Sequence, residues 1–348
     1  MSPGIWAARL RRGFQSFGIP RLLIVAFLLS LLTVAVARKM DLAALLSDSL
    51  ARIGRNGLLV LALLPGIQGG IGLNFGLPVG ILSGLVGCVL TLELKVTGWP
   101  ALALASLLAL ILSIPAGWLY GRLLNRVREQ EMMVGTYTGF ALVAGMSMFW
   151  LLAPMHNPTL VWAIGGKGLR TTLPLTGTFG GLLDRLGAFR IAGVAVPTGL
   201  FLVFFAFCGM IALFFRTRLG LALTAAGRNP AFARSSGIRE EPMRILAAML
   251  STSLGAIGIV IFAASYGWVQ LYTAPLMMAF PAIACILIGG ASVGRATIAH
   301  VLFGTFLFQT ILTIALPVTS SVVRGDISEV SRLIIQNGMI LYALTRRS

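Results

Sequence analysis

The chain has 348 residues, of which 57% are hydrophobic and 11% charged, and its mean hydropathy is +0.94. Soluble domains carry about 25% charged residues, so a water-soluble globule is excluded and lipid must solvate the apolar surface. The net charge of +17 does not signal nucleic acid, because the arginines punctuate apolar runs, the pattern left by membrane orientation.

At the N-terminus Arg9, Arg11, Arg12 and Arg21 precede an apolar stretch from Leu22 to Val36 that ends in Ala35-Val36-Ala37. A secretory signal with an A-x-A site has this form. A retained first helix fits a chain that is membrane-embedded throughout, and retention is the reading adopted here. Spanning helices need about 20 apolar residues, and a charge at mid-bilayer is costly, so uncharged windows locate the rest. Leu22–Ala37 is followed by Asn56–Leu92, long enough for two short helices with a tight break, then by Val96–Gly121 and Met132–Trp150. Pro154–Pro197 is an extracytoplasmic segment whose Gly, Pro and Thr content argues against one regular element. Next come Thr198–Phe215, an arginine-rich loop, an uncharged run from Ile245 to Gly294 that fits two spans, then Ala296–Leu316 and Leu333–Thr345. The fold class is therefore all-α and polytopic, one permease domain over residues 1–348 with about ten transmembrane helices, some of them broken.

The loop reads FRTRLGLALTAAGRNPAFARSSGIREEPMR from Phe215 to Arg244 and holds Arg216, Arg218, Arg228, Arg234, Arg239 and Arg244. With both termini inside, it joins the N-terminal arginines, Arg122, Arg126, Arg128, Arg295, Arg346 and Arg347 on the inner face. That face then carries more than half of the 27 basic residues, as the positive-inside rule asks. Orientation and headgroup binding account for the charge, but not for the Gly, Asn and Pro placed among it.

Leu64–Cys88 contains Gly72, Gly76, Gly80 and Gly84 at four-residue intervals, a small-residue stripe that lets helices approach closely in lipid. Pro65 and Pro78 interrupt the backbone nearby, and broken helices are tolerated only against protein or a water-filled cavity. Gln68 and Asn74 are uncharged hydrogen-bonding groups at that break. They are candidates for the substrate pathway, as is Gln309 in the penultimate span, and plain helix packing competes with that role. Pro275–Gly294 is a second interrupted stretch. Paired interruptions of this kind mark transporters with inverted repeats, although no residue-level repeat accompanies them. No aspartate or glutamate falls inside a predicted span, Glu93 standing at an edge. Ion-coupled carriers place such groups at membrane depth, so transport powered from outside the membrane and a neutral or zwitterionic solute are favoured.

Several motifs fail their structural context. Gly290-Ala291-Ser292-Val293-Gly294 matches the G-x-S-x-G elbow, but His300 is about 12 Å further along a helix, and a tight glycine turn is the simpler reading. A hydrolase pairing Ser292 with distant His156 is one alternative function; a stand-alone secondary carrier is another. Gly166-Lys167 lacks the rest of a phosphate-binding loop, and Gly70-Ile71-Gly72 follows no strand. Cys88, Cys208 and Cys285 lie far apart in apolar runs and read as buried side chains. His156 and His300 have no second ligand at metal spacing. No catalytic residue, metal or cofactor is expected on this chain.

Within the loop, Gly227-Arg228-Asn229-Pro230-Ala231-Phe232-Ala233-Arg234-Ser235-Ser236-Gly237-Ile238 resembles the cytoplasmic G-x-N-x-x-A-A-R-x-x-G-I segment of ABC permeases of the ribose and simple-sugar type, and Arg218-Leu219-Gly220 resembles the approach to it. Ala282-Ile283-Ala284-Cys285-Ile286-Leu287-Ile288-Gly289-Gly290-Ala291-Ser292 is similar to that family's A-I-A-A-V-V-x-G-G-T-S stretch. The resemblance covers about the C-terminal half. It implies a permease subunit of an ATP-driven importer in the bacterial inner membrane, forming a homo- or heterodimeric pore. Cytoplasmic ATP-binding subunits would drive that pore and an extracytoplasmic solute-binding protein would supply it. Gly227, Asn229, Pro230, Ala233, Arg234 and Gly237 would then form the ATPase coupling element of a cytoplasmic loop over 216–244. Where the family has G-G-I-D-L-S-V-G, this chain has Gly69-Gly70-Ile71-Gly72-Leu73-Asn74-Phe75-Gly76. A sugar or similar small polar solute is the reading adopted, with nucleoside and branched-chain amino acid permeases resembling the same loop.

Overall fold

In lipid no water is available to satisfy backbone N–H and C=O groups, so an apolar chain must pair them internally. The computed structural model does so with helices; it describes residues 19–162, 168–322, 330, 333–334 and 336–341. In chain order the helices are α1 (Ile19–Ala37), α2 (Leu42–Leu61), α3 (Leu63–Gln68), α4 (Leu77–Glu93), α5 (Gly98–Arg126) and α6 (Glu131–Leu152). After an irregular segment come α7 (Leu182–Arg185), α8 (Thr198–Arg216), α9 (Arg218–Arg228), α10 (Pro230–Ser235), α11 (Glu240–Tyr266), α12 (Ala274–Ile288) and α13 (Ile298–Val322). Among the described residues six helical stretches are long and apolar enough to cross a membrane: 42–68, 98–126, 131–152, 198–216, 240–266 and 298–321. Three shorter apolar helices, Leu22–Ala37, Leu77–Glu93 and Ala274–Ile288, join them, giving the all-α polytopic architecture expected. The last predicted span reaches beyond the described residues, and Arg9, Arg11, Arg12, Lys167, Arg346 and Arg347 lie outside them.

One span starts earlier than its charges suggest. Asp48, Arg52 and Arg55 place the start of a span at Asn56, yet α2 begins at Leu42, capped by the Asp41 carboxylate on the N–H groups of Ala43 and Ala44 at 3.0 and 3.1 Å. Leu45, Ser49 and Ile53 bury one stripe while Asp48 stays exposed, so this end is amphipathic and needs no charge-free surface. Asp48 thus lies inside a spanning helix, contrary to the expectation of none.

The core is α4, α5 and α11 packed backbone to backbone. A Cβ on Gly80 would stand 2.3 Å from the Thr252 carbonyl oxygen, and one on Gly84 would stand 2.4 Å from that of Ala256. Only glycine permits that approach, and dispersion between close backbones is what holds helices together in lipid. The glycine stripe is helical only from Gly80 onward, Gly76 being the N-cap of α4. Gly72 sits outside, in a break over 69–76 at φ +83°.

At the end of the bundle away from the arginine loop, the described residues of Pro154–Pro197 form no long helix. Strand β1 (Thr172–Pro174) pairs antiparallel with β4 (Trp268–Gln270), and β2 (Phe189–Ile191) with β3 (Val194–Val196). Glu93 accepts from the N–H groups of His156 and Asn157 at 2.9 and 3.1 Å, tying this segment to α4. Asp184 accepts from the Ser265 hydroxyl at 2.9 Å, and Gly181 donates to the Ala264 carbonyl, tying it to α11.

Candidate functional site

Two interrupted stretches meet at the end of the bundle that carries the arginine loop. The first is the break over 69–76 between α3 and α4; the second runs over 289–297 between α12 and α13. The Gln68 amide donates to the Ala296 carbonyl, and a Cβ on Gly72 would stand 3.2 Å from Val293. The other side-chain atom of Gln68, Oε1, is buried with no partner among the described residues.

Asn74 lies within the first break and is 2% exposed. Its Oδ1 accepts from the Tyr120 hydroxyl at 2.9 Å and from the Gly76 N–H at 3.0 Å, and its Nδ2 donates to Ser251 Oγ at 2.7 Å. These bonds pin the break to α5 and α11, the helices it must stay beside. Gln309 stands apart, eleven residues into α13, or roughly 16 Å along it at 1.5 Å per residue. It is 4% exposed and its Nε2 lies 3.9 Å from the Cys285 sulfur of α12. The structure therefore brings Gln68 and Asn74 to one break and leaves Gln309 at mid-span.

The arginine loop is mostly helical. Chain geometry builds α10 as a separate short helix: Asn229 caps it by accepting from the Phe232 N–H at 3.0 Å, Pro230 occupies its first position, and Gly237 at φ +77° ends it. Asn is among the best N-cap residues, and proline at the first turn loses no bond. Ala233 is fully buried while Arg234 is exposed and Phe232 is 60% exposed. The helix thus presents an aromatic ring and a guanidinium outward. Behind it, Gly227 ends α9 directly on the first break. A Cβ there would stand 2.2 Å from the Gln68 carbonyl oxygen and 2.6 Å from the Gly70 nitrogen. Backbone touches backbone, with no side chain between to absorb a displacement.

Sequence reasoning missed Arg244. Counted there among the loop arginines, it is the fifth residue of α11, because that helix begins at Glu240. It is 6% exposed and is the one charged side chain among the buried described residues. Its Nη1 donates to the Gly70 carbonyl at 2.7 Å, its Nε to Asn125 Oδ1 at 2.9 Å, and its Nη2 pairs with Glu131.

The G-x-S-x-G stretch is a turn: Ser292 N donates to the Arg295 carbonyl at 2.8 Å and Arg295 N to that of Ser292 at 3.3 Å. His156 stands by Glu93 at one end of α4, whereas the turn stands by Gly72 at the other. The length of α4, about 25 Å for 17 residues, separates them.

Residues 45–344 match the family model described as branched-chain amino acid transport system / permease component. Among curated proteins, the autoinducer 2 import system permease protein LsrC of Escherichia coli O9:H4 (strain HS) is 31% identical over 201 residues, 55% of this chain and 58% of that protein. The protein of the same name from Escherichia coli (strain K12 / DH10B) is 28% identical over 239 residues, 68% of this chain and 62% of the relative. That of Yersinia enterocolitica serotype O:8 / biotype 1B is 27% identical over 247 residues, 68% and 59%. The chain spans about three fifths of the length of these relatives. No solved structure matches it significantly.

Proposed function

The chain belongs to the family of branched-chain amino acid transport system permease components, and we propose that it is the membrane-spanning subunit of an ATP-driven importer. In this reading ATP is hydrolysed on partner chains, and this chain is one membrane domain that performs no chemistry of its own. The loop over 216–244 docks cytoplasmic ATP-binding subunits, with both termini on that face in a bacterial inner membrane. Asn229, Pro230 and Gly237 shape α10, Ala233 seats it, Arg234 faces the partner, and Gly227 carries its motion inward. A second permease subunit, identical or not, completes the pore, and an extracytoplasmic binding protein delivers solute to the opposite face.

The observation that carries this reading is the backbone contact of Gly227 with residues 68–70. A push on α10 reaches the break with no compliant layer between, which suits a mechanism in which a docked domain moves a rigid element. Among the described residues, acidic groups in spanning helices stand at helix ends or, for Asp48, in the first third of α2 and exposed. This placement favours a neutral or zwitterionic solute, because carriers of ions and protons keep carboxylates at membrane depth. A sugar or similar small polar solute is proposed, and the relatives named for autoinducer 2 import add that molecule as a candidate. Gln68, Asn74 and Gln309 are the polar groups proposed to border the pathway.

Purification with the partner ATPase tests the docking step. Arg234→Glu reverses the exposed charge on α10 and is expected to weaken co-elution about tenfold, the scale of one charged hot-spot contact. Undiminished co-elution would remove α10 from the docking face.

A further inference from the structure

We infer that Arg244 is a positioning residue: it holds the first break as the fulcrum through which movement of α10 reaches the pathway. The inference rests on the transport reading above and adds to it a residue that does not touch the partner.

Three observations carry it. First, the cost of placing Arg244 there is high. A buried guanidinium loses its hydration, and in the interior that loss is large. Such a group persists where its bonds fix a geometry. Second, those bonds go to three separate segments: the Gly70 carbonyl in the break, Asn125 near the end of α5, and Glu131 at the start of α6. A planar guanidinium fixes the relative directions of all three, which a lysine ammonium cannot do. Asn125 in turn donates to the Glu241 carbonyl at 3.0 Å, and Arg128 pairs with Glu240 and Glu241 at 3.4 and 3.7 Å, closing the ring around the start of α11.

Third, Gly70 is gripped from two sides. Its carbonyl takes the Arg244 bond, while a Cβ on it would stand 2.8 Å from the Gly227 α-carbon. One side of the break is therefore loaded by the loop and the other is anchored to the helix bundle. Displacing Gly227 with Gly70 anchored turns the break about that carbonyl. The turn moves Gln68 and Gly72, which contact Ala296 and Val293 in the second break. Without the anchor, the same push moves residues 69–76 bodily and is not passed on.

The test uses the full assembly of permease and ATPase in vesicles, reading solute uptake and ATP hydrolysis together, beside hydrogen exchange of the permease. Arg244→Lys and Arg244→Gln are expected to retain ATPase association and hydrolysis while uptake per ATP falls about tenfold, within the range typical of coupling between sites. Asn125→Ala removes one anchor and keeps the Arg244–Glu131 pair; its loss is expected to be smaller and in the same direction. Amide exchange should rise in 69–76 and stay unchanged in the middle of α4. Unchanged uptake per ATP in the Lys and Ala variants overturns the inference, as does a proportional fall of hydrolysis and uptake, which marks a merely structural role. If the wild-type assembly shows no ATP-dependent uptake, the transport reading fails. The exchange pattern then decides the anchor alone, and unchanged exchange over 69–76 overturns it.

Discussion

Asn74 has a nearly complete set of partners inside the break, and each partner belongs to a different element. Replacing it by leucine removes two acceptor bonds and one donor bond at a buried site, leaving the Tyr120 hydroxyl and the Gly76 N–H without their acceptor. Buried groups left unpaired cost about 1–3 kcal/mol each. Asn74→Leu is therefore expected to lower the thermal midpoint of the detergent-solubilised protein as well as uptake. An unchanged midpoint would show that water already satisfies these groups and that Asn74 stands in an open path. At this scale the sequence was partly legible. Polar residues among glycines and prolines pointed to the break, because uncharged amides are rare at such a place. Their partners were not visible, since Tyr120 and Ser251 lie 46 and 177 positions away. Arg244 was hidden for another reason: its neighbours in sequence are exposed arginines, and only the start of α11 at Glu240 separates it from them.

The elements were more legible where charge and apolarity agree. Long uncharged runs became helices because lipid leaves the backbone no other partner. The start of α2 was misplaced because an amphipathic end tolerates Asp48, Arg52 and Arg55 while burying Leu45, Ser49 and Ile53. The segment over 154–197 gave only a negative reading, because its order comes from pairing with distant β4 and from docking on α11. Asp184 makes that docking sensitive to pH. Burial raises its pKa above the ordinary 3.8, with the Ser265 hydrogen bond and the Arg55 charge opposing. A carboxyl group raised on folding adds stability below its unfolded pKa and loses it as pH rises through the folded value. Hydrogen-exchange protection of 182–196, corrected for intrinsic rates, is thus expected to fall as pH rises from below 3.8 through that window. Asp184→Asn should flatten the profile. A profile unchanged by that substitution would assign the dependence to another group.

Taken whole, the molecule has two ends with different tasks. One end carries paired short strands and backbone-tied loops, fixed to α4 and α11 by Glu93 and Asp184. The other carries an exposed short helix and two breaks in contact, joined by close glycine-to-backbone approaches. The family segment in the loop was legible because its Gly, Asn and Pro serve turn and cap chemistry that charge alone does not explain. Its contact with the first break was not, since the two are more than 150 positions apart in the chain. In the proposed mechanism this permease moves solute only when a nucleotide-hydrolysing partner drives it from the arginine-loop face. Uphill solute uptake into sealed vesicles, measured with and without the partner ATPase and ATP, tests it most directly. Accumulation is expected with both present and only equilibration, or none, when either is omitted; accumulation by the purified chain alone would overturn the mechanism.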